Sequence, residues 1–131
     1  MQAPTQRELD ALKILWLKER ATVRSIWNEL RREEPELAYT SILSLLQSME
    51  QKGIVRHEVK GRAYEYIACL EQKKTIGSMA RGIVERVFDG ALDAFVAHAL
   101  DNSSPSMETL DRLESLVADA KKRAKKRGGR K

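Results

Sequence analysis

The spacing of apolar residues changes from a helical to a strand-like period near Gly53, and this change restricts the fold more than any other feature. Before Gly53, apolar residues recur every three or four positions in three successive stretches, which predicts three amphipathic helices. After it, residues 54–59 and 63–67 alternate, with Lys60-Gly61-Arg62 between them as a short glycine-containing turn. This pattern predicts a β-hairpin with a basic tip. The predicted order of elements is α-α-α-β-β, a mainly helical fold with a small hairpin.

Capping residues mark the ends of the predicted helices. Thr5 is followed three residues later by Glu8, which is the spacing of a capping box. Thr22 is predicted to cap the second helix. That helix is expected to end at Glu34 and Pro35, because the residue before a proline is pushed out of the α region.

The third predicted helix, residues 39–52, has a polar face that is nearly uncharged. The side chains on this face are Thr40, Ser41, Ser44, Gln47 and Ser48. A solvated helix face usually carries more Glu and Lys. Short hydroxyl side chains can donate or accept hydrogen bonds to base edges, so the face is typical of a helix that enters the DNA major groove. The second and third helices would then form a helix-turn-helix pair, and the alternative is a plain polar surface.

Basic residues outside this face are expected to contact DNA phosphates, which adds affinity but little sequence information. Lys60 and Arg62 lie at the hairpin tip, where an ordinary exposed turn is the alternative interpretation. Arg24 lies near the start of the second helix and Arg56 on the hairpin. The complete set of predicted DNA-binding residues is Arg24, Tyr39, Thr40, Ser41, Ser44, Gln47, Ser48, Arg56, Lys60 and Arg62.

Residues 71–125 contain two or three further amphipathic helices, and Pro105 is predicted at the first position of the last one. Their apolar stripes are wide, and so thin a layer cannot bury both faces by itself. We expect a second copy of the chain to cover them, although a monomeric core is the alternative. The predicted dimer-interface residues are Ile76, Met79, Ile83, Val87, Phe88, Leu92, Phe95, Val96, Leu110, Leu113 and Val117. A two-fold dimer would match a palindromic DNA site.

The positive charge is concentrated at the end of the chain. The formal net charge is +5, but residues 121–131 hold eight of the 24 Lys and Arg residues and no acidic residue. We therefore divide the chain into a DNA-binding domain at 1–70, a helical dimerisation domain at 71–125 and a basic tail at 126–131. A nonspecific or architectural nucleic-acid-binding protein driven by the basic tail is the main alternative. A protein-interaction module without a DNA role is a third hypothesis.

Several function classes are excluded or disfavoured by the sequence. It contains no apolar run long enough to cross a membrane and no apolar leader after Met1, so we expect a cytoplasmic protein without membrane insertion. His57 and His98 are far apart and Cys69 is the only cysteine, so neither a metal nor another cofactor is expected. No nucleophile motif or phosphate loop is present, which argues against an enzyme. The apolar positions of Trp16, Trp27, Tyr64 and Tyr66 predict core residues.

Five stretches of the chain together resemble the penicillinase-repressor family, which includes the β-lactam-responsive repressors and has copper-responsive repressors as relatives. They are residues 21–24 (ATVR), 37–46 (LAYTSILSLL), 52–55 (KGIV), 60–66 (KGRAYEY) and 86–90 (RVFDG). The resemblance covers roughly residues 4–115. It implies a winged-helix domain, a helical dimerisation domain and repression from palindromic operators with TACA/TGTA half-sites. It also places Thr40, Ser41 and Ser44 on the recognition positions and Arg62 on the wing.

The chain departs from the family pattern in three ways. Ser48 stands where many members have an arginine. The β-lactam-responsive repressors that this chain resembles are cut by a membrane sensor protease at an Asn-Phe bond. The matching stretch of this chain is Ala97-His98-Ala99-Leu100, which contains no such bond. The paired cysteines of the copper-responsive relatives are absent near the end of this sequence. The resemblance therefore makes the sensor protease a candidate partner that triggers release from DNA. The Asn-Phe cleavage bond of the β-lactam-responsive repressors is not matched in this chain.

Overall fold

The computed structural model describes residues 3–128. Six helices and three short strands follow one another in this part of the chain. They are α1 Gln6–Lys18, β1 Ala21–Thr22, α2 Val23–Leu30, α3 Tyr39–Gln51, β2 Val55–Lys60, β3 Ala63–Ala68, α4 Gln72–Phe88, α5 Leu92–Asp101 and α6 Met107–Gly128. The chain forms two compact units, one up to Gly82 and the other from Ile83, with the change inside α4. The mainly helical fold with a hairpin after three helices is confirmed.

The predicted caps set the helix ends of the first unit. Thr5 accepts a hydrogen bond from the Glu8 backbone N–H at 3.2 Å, and the Glu8 carboxylate accepts one from the Thr5 N–H at 2.9 Å. The hydroxyl of Thr22 accepts from the Ser25 N–H at 3.1 Å and starts α2. Gly53 follows α3 with φ of 80°, a conformation that favours glycine.

The sheet has three antiparallel strands in the order β1-β3-β2. Lys60 pairs with Ala63, so Gly61 and Arg62 form a two-residue turn in which Gly61 has φ of 64°. Strand β1 was missed from the sequence, because its two residues, Ala21 and Thr22, are too short to show alternation. Ala21 pairs with Tyr66. The hairpin is therefore attached through β1 to the start of α2.

The core of the first unit lies between the three helices and the sheet. Its fully buried large side chains are Leu12, Leu15, Ile26, Ile42, Leu46, Met49, Val55 and Tyr66. Two tryptophans close its edges: the indole N–H of Trp16 donates to the Leu70 carbonyl at 2.9 Å, and that of Trp27 donates to the Leu37 carbonyl at 2.8 Å. The apolar stripe of α3 is thus held inside, so its opposite side faces out.

An ion pair between a buried carboxylate and an exposed ammonium ties the start of α1 to the end of α3. Glu8 is 4% exposed and its Oε2 lies 2.7 Å from the Nζ of Lys52. Burial acts to raise the pKa of Glu8, but hydrogen bonds from Lys52 and Thr5 outweigh it and leave the pKa below its usual value. Glu8 is therefore ionised at neutral pH and helps to fix α3 on the core.

Three local predictions were wrong. Helix α2 ends at Leu30 rather than at Glu34 and Pro35, because the chain turns out of the helix before the proline. Pro105 is not the first helical residue, since α6 begins at Met107 and the Ser106 hydroxyl accepts from the Thr109 N–H at 3.1 Å. Tyr64 is 52% exposed rather than a core residue.

The second unit contains the end of α4 with α5 and α6. Phe88 and Phe95 meet edge to face with ring centroids 5.6 Å apart. None of the residues in α4, α5 or α6 is buried. Several large apolar side chains are exposed to solvent instead, including those of Val87 (66% exposed), Leu92 (62%) and Val117 (56%). Among the described helices, none is both long and apolar enough to cross a membrane.

Candidate nucleic-acid interface

The outward side of α3 presents a row of free hydrogen-bonding groups. Thr40, Ser44 and Gln47 follow the i, i+4, i+7 spacing, so they lie along one line of the helix, flanked by Ser41 and Ser48. All five side chains are exposed, and none has a hydrogen-bond partner within residues 3–128. We call this set the hydroxyl strip. From Thr40 to Gln47 it extends about 10 Å, the length of roughly three base-pair steps.

A groove of about 710 Å³ separates α3 from the hairpin. It is lined by four of the residues predicted to bind DNA, Arg24, Tyr39, Gln47 and Arg62, together with Tyr64. These residues come from α2, α3 and the hairpin, so the fold collects them although they are far apart in sequence. Ser41 lines a separate hollow beside the loop of residues 34–38. The remaining members of the strip and Lys60 line neither concavity.

Arg24 is positioned by aromatic rings rather than by an acid. Its guanidinium carbon lies 5.3 Å from the centre of the Tyr39 ring and 6.0 Å from that of Trp27. These distances allow cation–π attraction while the charge stays accessible. Within the described residues Arg24 has no carboxylate within 4 Å. It can therefore offer its charge and N–H groups to a phosphate.

The hairpin, or wing, carries two unneutralised cations at its tip. Lys60 and Arg62 are exposed, and neither has an ion-pair partner among residues 3–128. Arg56 differs, because its guanidinium lies 2.6 Å from Glu58. Glu58 also lies 3.1 Å from Arg20, and hydrogen bonds from Arg56 and Arg20 hold its pKa below the usual value. The charge of Arg56 is thus already balanced within the sheet.

The contacts of Glu50, His57 and Tyr64 connect the wing to α3. The sequence did not reveal this role of the three residues. The ring of Tyr64 stacks on that of His57 with centroids 4.2 Å apart and planes 14° from parallel. The Nδ1 of His57 lies 2.7 Å from both carboxylate oxygens of Glu50 at the end of α3. The chain Glu50–His57–Tyr64 therefore braces the wing against the helix. The only signal for this brace in the sequence is the alternation of the hairpin, which brings His57 opposite Tyr66.

The surface formed by the hydroxyl strip, Arg24 and the wing tip offers hydrogen-bonding groups and positive charge. It combines neutral donors and acceptors on a rigid helix with cations at its flanks, which suits a polyanion with readable edges. Within residues 3–128 there is no cluster of three or more His, Cys, Asp or Glu side chains placed to hold a metal ion.

The chain is similar to known proteins over most of its length. The sequence profile of the penicillinase repressor family matches residues 4–119. The chain is 24% identical over 121 residues to the penicillinase repressor of Bacillus licheniformis, covering 90% of this chain and 91% of that protein. It is 16% identical over 110 residues to the methicillin resistance regulatory protein MecI of Staphylococcus aureus strain N315, covering 84% and 89% respectively.

The matched region includes the whole winged-helix unit and most of the helices after it. The resemblance noted in the sequence is thereby confirmed, and so is the expectation that the chain is a repressor rather than an enzyme. The chain belongs to the penicillinase-repressor family.

Proposed function

We propose that this protein is a homodimeric, sequence-specific DNA-binding repressor that occupies a palindromic operator with TACA/TGTA-like half-sites in the cytoplasm. The observation that carries the proposal is the hydroxyl strip, whose exposed side chains lack partners within the described residues. Helix α3 would lie in the major groove, where each base pair presents a distinct pattern of donors and acceptors.

The residues of the strip suit half-sites rich in A·T pairs. The amide of Gln47 can make a bidentate contact with adenine, and the methyl group of Thr40 can contact the thymine methyl. The hydroxyls of Ser41 and Ser44 can donate to or accept from either base of a pair. Ser48 and Tyr39 would complete the contact, Ser48 at the flank of the strip and Tyr39 beneath Arg24.

Four cations would bind the phosphates on either side of the groove. Arg24 lies at the start of α2, and Lys60 and Arg62 lie at the wing tip. Their charges have no carboxylate within 4 Å in the described part of the chain. Arg56 is the weakest member of the set, because Glu58 holds it at 2.6 Å and would compete with a phosphate.

The second unit supports the dimer. Its helices leave their apolar stripes uncovered, and large apolar patches on a single chain mark interaction surfaces. A second copy would bury the predicted interface residues Ile76, Met79, Ile83, Val87, Phe88, Leu92, Phe95, Val96, Leu110, Leu113 and Val117. Two reading helices related by a two-fold axis then match a palindrome.

Fluorescence anisotropy with two duplexes of equal length tests this function. One duplex contains a TACA/TGTA palindrome and the other the same bases scrambled, both at about 150 mM salt. We expect at least about a hundredfold tighter binding to the palindrome, within the usual specific-to-nonspecific ratio. Equal affinity for the two duplexes would overturn the proposal, because phosphate contacts do not discriminate.

The second candidate is nonspecific nucleic-acid binding by the basic end of the chain. Its support is a run of six cations at 121–127 without a carboxylate within 4 Å in the described part of the chain. Arg130 and Lys131 of the predicted tail lie outside the described residues. A chain ending at Asp119, at a concentration at which sedimentation shows it to be dimeric, separates the candidates in the same assay. Retained preference for the palindrome favours the repressor, and loss of all binding favours the tail.

Release from the operator involves the remaining candidate partner, the membrane sensor protease. The stretch 97–100 lies within α5 and all four residues are exposed. A protease needs extended backbone, so a cut here would require α5 to open first. Because the stretch reads Ala-His-Ala-Leu, we propose that any such protease recognises a bond other than Asn-Phe.

A further inference from the structure

Helix α6 is divided into an acidic half and a basic half. The first half, residues 107–119, contains Glu108, Asp111, Glu114 and Asp119 against one cation, Arg112. The second half contains six cations and no acid, and it continues as regular helix to Gly128. The family profile ends at residue 119, before the first cation of the basic half. One helix therefore presents opposite charges at its two ends.

An apolar seam runs through both halves. Leu110, Leu113, Val117, Ala120 and Ala124 alternate three and four residues apart, which keeps them on one face. The part of the seam from Leu110 to Ala120 forms one wall of an open apolar groove of about 860 Å³, and Leu92, Val96 and Leu100 of α5 form the other. Glu114 of the acidic half and Lys121 of the basic half both lie on its rim.

We propose that this groove receives α6 of a second copy in antiparallel orientation, with the acidic half of each helix beside the basic half of the other. The inference rests on the proposed dimer and specifies its contact. The midpoint of the seam is Val117, and an antiparallel pair centred near it places Glu114 across from the partner's Lys121. The two-fold axis repeats the same contact on the other side.

Charge decides the orientation. In a parallel pair the six cations of one helix would meet the six of its copy, and like charges at flanking positions of paired helices oppose association. In the antiparallel pair every acidic residue from 108 to 114 meets the cationic half. The size of the seam residues agrees, because the larger Leu110 and Leu113 face the small Ala124 and Ala120 rather than each other.

Charge reversal in each half tests the pairing. The acidic variant carries Glu108→Lys, Asp111→Lys and Glu114→Lys, and the basic variant carries Lys121→Glu, Lys122→Glu, Arg123→Glu, Lys125→Glu, Lys126→Glu and Arg127→Glu. Sedimentation at about 50 mM salt should show at least a tenfold larger dimer dissociation constant for either variant. The combined variant, with all nine changes, mirrors the original charges of the two halves and should return to within about threefold of the original protein.

Two controls make the result specific. The variant Glu19→Lys, Glu33→Lys, Glu36→Lys changes the net charge by as much as the acidic variant but outside α6, and should leave dimerisation unchanged. Circular dichroism records the helix content of each variant. The combined variant opposes the helix dipole at both ends, so its recovery cannot come from a more stable single helix.

The outcomes separate this inference from the proposed function. Unchanged dissociation constants in both half-variants, or no recovery in the combined variant, would overturn the pairing while leaving a dimeric repressor possible. A basic variant that dimerises normally but loses affinity for scrambled DNA would also overturn it and make the basic half a polyanion contact. A wild-type chain that stays monomeric at all concentrations would remove the proposed dimer as well.

Discussion

At the scale of single residues, the first unit depends on a few buried polar contacts. The clearest is Glu8, which is 4% exposed and serves two partners, the Thr5 backbone and the Lys52 ammonium. A buried carboxylate that keeps its charge must be compensated by its hydrogen bonds. The capping-box spacing predicted the contact with Thr5 from the sequence. The contact with Lys52 joins residues 44 positions apart and could not be foreseen, because no local pattern records it.

We predict that Glu8→Gln lowers the free energy of unfolding by about 1–2 kcal/mol at pH 7, because a charge-assisted hydrogen bond is lost. The pKa of Glu8 is lowered in the folded protein, so this stabilisation is present above the ordinary glutamate pKa. It disappears as the pH falls through the lowered pKa. Urea unfolding of both proteins at pH 7 and pH 3 measures the difference, with the exposed Glu33→Gln as control. A difference of equal size at both pH values would contradict the assignment.

At the scale of elements, α3 and the wing would divide the work of DNA binding in the proposed complex. The apolar stripe of α3 and the alternation of the hairpin predicted both elements from the sequence to within a residue or two. The pairing of Arg56 with Glu58 and the exposed stack of Tyr64 on His57 were not predictable, since both depend on side-chain orientation about the strands. The hydroxyl strip was visible in the sequence because its composition differs from that of an ordinary solvated face.

We predict different effects for the two elements. The double change Ser41→Ala and Ser44→Ala should reduce the preference for the palindrome by about tenfold or more and leave binding to scrambled DNA unchanged.

Lys60→Ala with Arg62→Ala should weaken binding to both duplexes and lower the salt slope by about one for each cation removed. Arg56→Ala is the matched control on the same hairpin, with a smaller effect because Glu58 already engages it. If the substitutions at Lys60 and Arg62 altered only the base preference, the assignment of phosphate contacts to the wing would be refuted.

At the scale of the whole molecule, the two units differ in how they are stabilised. The first has a continuous core, whereas the helices of the second have no buried residue of their own. The amphipathic periodicity of residues 71–125 indicated helices that need a partner. The point at which the units separate, inside α4, was not visible in the sequence because the helical period continues through it.

We predict that the melting temperature depends on protein concentration. If burial in the second unit comes from a second copy, a hundredfold dilution removes about 2.7 kcal/mol of stabilisation per dimer. For two chains of this length that corresponds to a fall of roughly 5 °C. Calorimetry or circular dichroism over the dilution series measures it, and Val117→Asp should lower the melting temperature at each concentration. A melting temperature independent of concentration would contradict a coupled dimer.

In the proposed repressor, the neutrality of the hydroxyl strip would affect how many different operators are recognised. A wrong base opposite an arginine leaves the guanidinium desolvated and without a hydrogen-bond partner, which costs binding free energy. A hydroxyl can instead rotate and accept a hydrogen bond where it donated one before. Each imperfect base pair should therefore cost little, and affinity should decline gradually with divergence from the ideal palindrome. Such a regulator is suited to a graded regulon, in which imperfect sites are derepressed first and the best-matched site last.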